Sequence, residues 1–143
     1  MIKPRLINLV SHSDKRGFLS VLSPIQTAFP SEIKRIYILH HSNPDSERGG
    51  HAHPNLWQMI FCTSGSATVE VITPKDSYIY ELGGCDKALI IPPGYWRTLY
   101  NFTPETVLVV LADKEYEDTI YIRNFKDYVD WFNTNARESL GNN

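Results

Sequence analysis

The sequence predicts an all-β protein built as a sandwich or barrel and closed by one short C-terminal helix. Three observations carry this expectation. Short runs rich in β-branched and aromatic residues recur between Gly, Pro, Asn, Asp and Ser clusters from residue 5 to residue 123. Several of these runs alternate with a period of two. Only the end of the chain shifts to a helical period.

Taken in order, the predicted strands are Arg5 to Val10, Gly17 to Leu22, Arg35 to His40, Leu56 to Cys62 and Ser66 to Ile72, then Ser77 to Leu82, Ala88 to Ile91, Trp96 to Asn101, Val107 to Ala112 and Asp118 to Ile122. In the third, Ile36 and Ile38 alternate with Tyr37 and Leu39. In the fifth, Ala67, Val69 and Val71 alternate with Thr68, Glu70 and Ile72. Neither set is cleanly polar, so these strands are expected to be covered on both faces, by a second sheet or by a partner subunit. Thr73-Pro74-Lys75-Asp76-Ser77 reads as a hairpin loop and Pro92-Pro93-Gly94 as a rigid turn. Asn124 is placed to cap a helix whose apolar positions Phe125, Tyr128, Val129 and Phe132 fall on one stripe, with Asp127 in its first turn. The stripe ends at Asn133, and residues 134–143 are expected to fray.

At 143 residues the chain fits a single domain spanning 1–143. Hydrophobic residues at 42% and charged residues at 21% exclude a disordered tail or a collagen-like repeat. Fourteen basic against sixteen acidic side chains leave a net charge of −2, which argues against nucleic acid or an anionic membrane as partner. Any phosphate must therefore be met by a few placed cations. The opening residues lack the apolar stretch of a secretory signal, and no window reaches the ~18 apolar residues of a membrane span. Cys62 and Cys85 both lie in apolar runs and read as buried free thiols. A cytoplasmic location is expected.

The densest chemistry runs from Arg48 to Gly65. On an extended strand His51 and His53 project from one face, so both imidazoles can meet one substrate. The spacing resembles the first cupin motif, with Gln58 at its acidic position and Gly65 at its glycine. The second cupin motif is matched by Pro92-Pro93-Gly94 and Asn101, with Arg97 standing where a histidine ligand belongs. A neutral amide and a guanidinium make a poor metal set, so no metal is expected. Without one, paired histidines are best read as acid–base groups, since imidazole titrates near neutrality. His12, His40 and His41 stand alone and read as packing residues.

Over nearly its whole length the chain resembles the WxcM-like cupin family of sugar nucleotide 3,4-ketoisomerases. The resemblance rests on Asp14-Lys15-Arg16-Gly17-Phe18-Leu19, Lys34-Arg35-Ile36-Tyr37, Arg48-Gly49-Gly50-His51-Ala52-His53 with Gln58 and Gly65-Ser66, and Ile91-Pro92-Pro93-Gly94-Tyr95-Trp96-Arg97. It continues through Val109 to Tyr116 and closes on Asp118-Thr119-Ile120-Tyr121-Ile122-Arg123-Asn124-Phe125. One departure is Trp57 before Gln58; strand alternation should turn it away from the histidines, to pack. The resemblance implies a cupin jelly roll, a double-stranded β-helix sandwich. It also implies a homodimer that exchanges an N-terminal strand, and a role for the Arg16 and Phe18 segment in setting the C4 configuration of the product.

The implied reaction moves the keto group of dTDP-4-keto-6-deoxyglucose from C4 to C3 through an enediolate, without cofactor or metal, in deoxysugar and surface polysaccharide biosynthesis. A base must take the C3 proton, a donor must stabilise the enediolate and an acid must protonate C4. His51 and His53 are the candidates for base and acid, with His53 favoured as the shuttle and His51 as the group acting on oxygen. Tyr37 is expected to donate to the oxyanion. Arg16, Arg48, Arg97 and Arg123 are expected to contact the substrate, the diphosphate included, and Gln58 to hold the histidines or a hydroxyl. Three other readings remain open at this point: a cupin sugar nucleotide epimerase, a non-catalytic sugar nucleotide-binding cupin and a metal cupin dioxygenase.

Overall fold

In the computed structural model, residues 1–23 and 27–141 are described, with side chains through residue 136. Eleven strands are formed: β1 Arg5–Asn8, β2 Val10–Asp14, β3 Gly17–Val21, β4 Arg35–His40, β5 Arg48–Ala52, β6 Gln58–Ser64, β7 Ser66–Ile72, β8 Ser77–Gly83, β9 Lys87–Ile91, β10 Trp96–Tyr100 and β11 Val107–Ala112. A five-stranded sheet, β1-β9-β6-β11-β4, faces a four-stranded sheet, β5-β10-β7-β8, and β2-β3 forms a separate hairpin. All pairings are antiparallel. This is the jelly-roll sandwich anticipated from the strand pattern.

Period-two alternation builds the core between the sheets. Ile60 and Cys62 of β6, Leu89 and Ile91 of β9, and Leu108 and Val110 of β11 meet Val69 and Val71 of β7 and Leu99 of β10. The outer face of the large sheet is also covered, by the chain itself: Met59, Ile90 and Leu111 pack against Phe29, Leu22, Ile33 and Trp57. Trp57 meets Phe29 edge to face at 6.4 Å between ring centres, so it packs on that outer layer. The cover stops short of β4, where Ile36 and Ile38 remain exposed while Tyr37 and Leu39 turn inward.

The turns follow their chemistry. Thr73 Oγ1 accepts from the amides of Lys75 and Asp76 at 3.1 and 2.9 Å, closing the β7–β8 loop. Gly94 has φ +89° in the Pro-Pro-Gly turn, and its amide donates to His53 O at 2.8 Å. Helix α1, Phe125–Gly141, is capped by Asn124 Oδ1, which accepts from the Lys126 and Asp127 amides. Tyr128 and Phe132 are buried beneath the helix, and the Tyr128 hydroxyl is shared between Ile72 O and Gly94 O, fastening α1 to the turn below the histidines.

Four expectations are corrected. The first run breaks at Leu9, whose amide bonds to Asp86 O, and Val10 opens a new hairpin. The helix continues past Asn133 to Gly141, a stretch that holds the good helix formers Ala136, Arg137, Glu138 and Leu140; residues 142–143 lie outside the described residues. Cys85 is exposed with φ +60° in the β8–β9 turn, whereas Cys62 is buried. Asp118 to Ile122 is a strap with a single bridge, Ile122 to Ala52, because side chains take the backbone groups a neighbouring strand would need.

Candidate active site

The histidine pair lies at one end of the space between the sheets. Strand β5 pairs with β10 so that His51 stands opposite Arg97, and the register shifts between Arg97 and Thr98. That bulge brings Gly49 against β10: a Cβ there would lie 2.6 Å from Arg97 O, and φ is +82°. Only glycine fits both demands. The Gly49 carbonyl that this bend exposes lies 3.1 Å from His51 Nδ1. His53 follows just past the end of β5, with Nδ1 3.0 Å from Ile120 O. The two rings are 4.6 Å apart at their centres and inclined by 67°.

These contacts fix the tautomer. A carbonyl oxygen only accepts, so Nδ1 of each ring carries the hydrogen, and in the neutral imidazole Nε2 then holds the free lone pair. Neutrality follows from the surroundings. Burial first, and then the Arg97 charge, lower His51 from its ordinary 6.5 to about 4. The same two causes lower His53 to about 2. Both rings are therefore bases at neutral pH.

Arg97 is only 2% exposed, and none of its three guanidinium nitrogens has a hydrogen-bond partner among the described residues. Burial lowers it to about 10, with Tyr37, Tyr128 and Tyr121 acting in the opposite direction, so it stays charged at neutral pH. Gln58 Nε2 donates to Tyr37 Oη at 2.8 Å. The Tyr37 phenol thus accepts from Gln58 and keeps its own proton free to donate. Burial raises Tyr37 above the ordinary phenol value, which keeps that proton in place. Among the described residues no three His, Cys, Asp or Glu side chains are grouped as metal ligands. An amide, a phenol and a guanidinium surround the pair, and the positive field that opposes protonation of the rings opposes a metal ion equally.

The strap from Asp113 to Arg123 closes the end of the sandwich over the rings. Asn55 Nδ2 donates to Asp118 O and Asn55 Oδ1 accepts from the Ile120 amide, each at 2.9 Å. Ala52 and Ile122 exchange both backbone bonds at 2.9 Å. Between these clips the Tyr121 ring meets His53 at 4.4 Å and His51 at 5.3 Å, and the Arg123 guanidinium sits 4.1 Å from the centre of the Tyr121 ring.

Over residues 2–133 the chain matches the FdtA family, described as WxcM-like, C-terminal. The chain belongs to this family. Among its relatives is the TDP-4-oxo-6-deoxy-alpha-D-glucose-3,4-oxoisomerase of Aneurinibacillus thermoaerophilus, 33% identical over 130 residues that cover 87% of this chain and 91% of that one. The QdtA 3,4-ketoisomerase of Thermoanaerobacterium thermosaccharolyticum, solved as a mutant in complex with TDP-4-keto-6-deoxyglucose, superposes with a TM-score of 0.85 at 33% identity, covering 94% of this chain and 96% of that one. The WlaRB TDP-quinovose 3,4-ketoisomerase of Campylobacter jejuni gives 0.82 at 33% identity, covering 91% and 99%.

In this FdtA-family chain, His51, His53, Tyr37, Gln58 and Arg97 come together, and Arg123 joins them at the rim through Tyr121. Arg48 is exposed at the start of β5. Arg16 lies on the projecting β2–β3 hairpin, paired with Asp14, and does not reach the histidines of its own chain. Three further residues at the site, Tyr121, Asn55 and Arg35, are not predicted from the sequence; the Arg35 guanidinium carbon lies 5.5 Å from the centre of the Tyr37 ring and 5.7 Å from that of Tyr116. One signal for Tyr121 was available: in an extended segment it shares a face with Arg123, two residues on.

Proposed function

We propose that this chain is a TDP-sugar 3,4-ketoisomerase that converts TDP-4-keto-6-deoxyglucose to the 3-keto isomer. The observation that carries the reading is the neutral histidine pair, each Nδ1–H held by a backbone carbonyl, beside a buried guanidinium with no carboxylate partner. Bases that are uncharged at neutral pH and a fixed positive charge are what a reaction passing through an enediolate requires. Relatives named for this reaction, at one-third identity over most of both chains, support the same reading.

His51 takes the proton from C3 on Nε2, and the C–H pair becomes the C3=C4 double bond while O4 gains charge. The O3 proton passes to O4, with Tyr37 as the hydroxyl relay. The O3 electrons then re-form a carbonyl at C3 while His51 returns its proton to C4. Atoms and electrons balance within the sugar, and no external oxidant or reductant is consumed. Assigning the shuttle to His51 reverses the division favoured from sequence, because His53 is only 1% exposed whereas His51 is half-buried. His53, Gln58 and Arg97 form the layer beneath: Gln58 orients the Tyr37 oxygen, and Arg97 supplies charge at short range.

The same reading includes a homodimer. The β2–β3 hairpin is exposed along its length, with Phe18 87% exposed, and Ile36 and Ile38 leave β4 uncovered. In this reading the exchanged N-terminal segment includes the hairpin, which carries Arg16 toward the partner's diphosphate site. Arg48 and Arg123 supply further cations at the rim. The free thiols Cys62 and Cys85 suit a cytoplasmic location. Among the described residues no helix is long and apolar enough to cross a membrane.

The test is to incubate the protein with TDP-4-keto-6-deoxyglucose in D2O and follow the sugar ring by NMR. A carbonyl arriving at C3 supports isomerisation. A carbonyl that stays at C4 with deuterium at C3 or C5 indicates an epimerase instead, and binding without turnover indicates a sugar nucleotide-binding protein.

A further inference from the structure

We infer that Tyr121 is a positioning residue whose ring, rather than its hydroxyl, holds the two histidines in working orientation. The inference rests on the ketoisomerase reading only for its consequence in turnover. Its structural part stands on the strap alone.

Among the described aromatic contacts, the Tyr121 ring meets both imidazoles: His53 nearly perpendicular, at 74°, and His51 at 58°. On its other contacts it is held by the Arg123 guanidinium and by the Tyr116 ring at 5.9 Å. The backbone on either side is clipped, Ile120 by Asn55 and by His53 Nδ1, and Ile122 by Ala52. An imidazole held by one hydrogen bond at Nδ1 can still swing about that bond. An edge-on aromatic contact removes this freedom and excludes water from the ring. No described hydrogen bond engages the Tyr121 hydroxyl, so the ring carries the contact.

The charged and titratable groups acting on the pair are Arg97 from β10, Arg35 from β4 and Arg123 on the strap. All are cations that oppose protonation of the rings. Tyr37 from β4 and Tyr121 act on Arg97, and His51 adds to the lowering of His53. Removing the Tyr121 ring admits water without removing any of these charges, so both imidazoles should move upward, toward their ordinary value.

The experiment compares the unmodified protein with Tyr121→Leu and Tyr121→Phe. Histidine ¹⁵N NMR of the unliganded protein reports tautomer and titration, turnover gives kcat and KM, and thermal unfolding monitors the fold. Tyr121→Leu is expected to mix the Nδ1–H tautomer with its alternative, raise the imidazole titration, and lower kcat by about 10²-fold with a smaller change in KM. Tyr121→Phe is expected to restore all three. Loss of turnover in Tyr121→Phe, or unchanged histidine spectra in folded Tyr121→Leu, would overturn the inference. If the unmodified protein shows no turnover, the ketoisomerase reading fails separately, and the NMR spectra still decide the role of Tyr121.

Discussion

His53 Nδ1 lies 3.0 Å from the carbonyl oxygen of Ile120, a residue 67 positions along the chain. This bond ties the reacting pair to the strap that closes the sandwich, and through Asn55 the strap is tied back to the loop that follows His53. Histidine orientation, tautomer and exclusion of water therefore depend on one closed loop of contacts.

The depressed histidines set a pH window for stability. As pH falls below about 6.5, the unfolded chain takes up protons that the folded chain refuses until about 4 for His51 and about 2 for His53. Folded protein is thus favoured above this range and loses stability as pH falls through it. Urea unfolding at successive pH values should show the decline, and His53→Gln should flatten it. A stability that is level from pH 7 to pH 4 would contradict the assigned neutrality.

Arg97 sets function against stability. Its buried charge has no described hydrogen-bond partner, and replacing such a group with an apolar side chain of similar volume is commonly neutral or stabilising by about 1–4 kcal/mol. Arg97→Met should therefore unfold at equal or higher denaturant while losing most of its turnover, and the imidazole titration should rise as the charge is removed. A variant that unfolds more readily would show that Arg97 holds the fold together.

Asn55 tests the strap from its other end. Asn55→Ala removes both clips to residues 118 and 120 and should cost about 1–3 kcal/mol. Because the strap also holds His53, kcat should fall by on the order of 10- to 100-fold, with KM changed less. Thermal unfolding with steady-state kinetics checks both. Equal effects on kcat and KM would instead make the strap a substrate-binding element.

If Arg16 serves the partner's site, activity should return on mixing two impaired proteins, Arg16→Ala and His51→Asn. Each hybrid dimer then carries one intact site, about a quarter of all sites after random exchange of subunits. Activity measured before and after refolding the mixture decides the matter. No recovery from folded, mixed dimers would confine Arg16 to its own chain.

The architecture was legible in part because period-two alternation puts Ala67, Val69 and Val71 on one face of their strand, and that face packs inward. The His51 and His53 face was legible for the same reason, and Arg97 from its place three residues after Gly94. The strap was not. Thr119-Ile120-Tyr121-Ile122 has strand composition, and its departure from a sheet depends on an Asn55 amide bound across 65 residues, a contact no local pattern encodes. Burial was equally hidden: only packing buries His53 fully and leaves His51 half-buried.

The central claim is that His51 carries hydrogen from C3 to C4. The most direct measurement compares unmodified protein and His51→Asn on TDP-4-keto-6-deoxyglucose by NMR of the sugar ring, with unfolding curves showing both to be folded. The unmodified protein should give a C3 carbonyl, and the variant a rate about 10²- to 10⁴-fold lower. A folded His51→Asn protein that moves the carbonyl at the unmodified rate would contradict it.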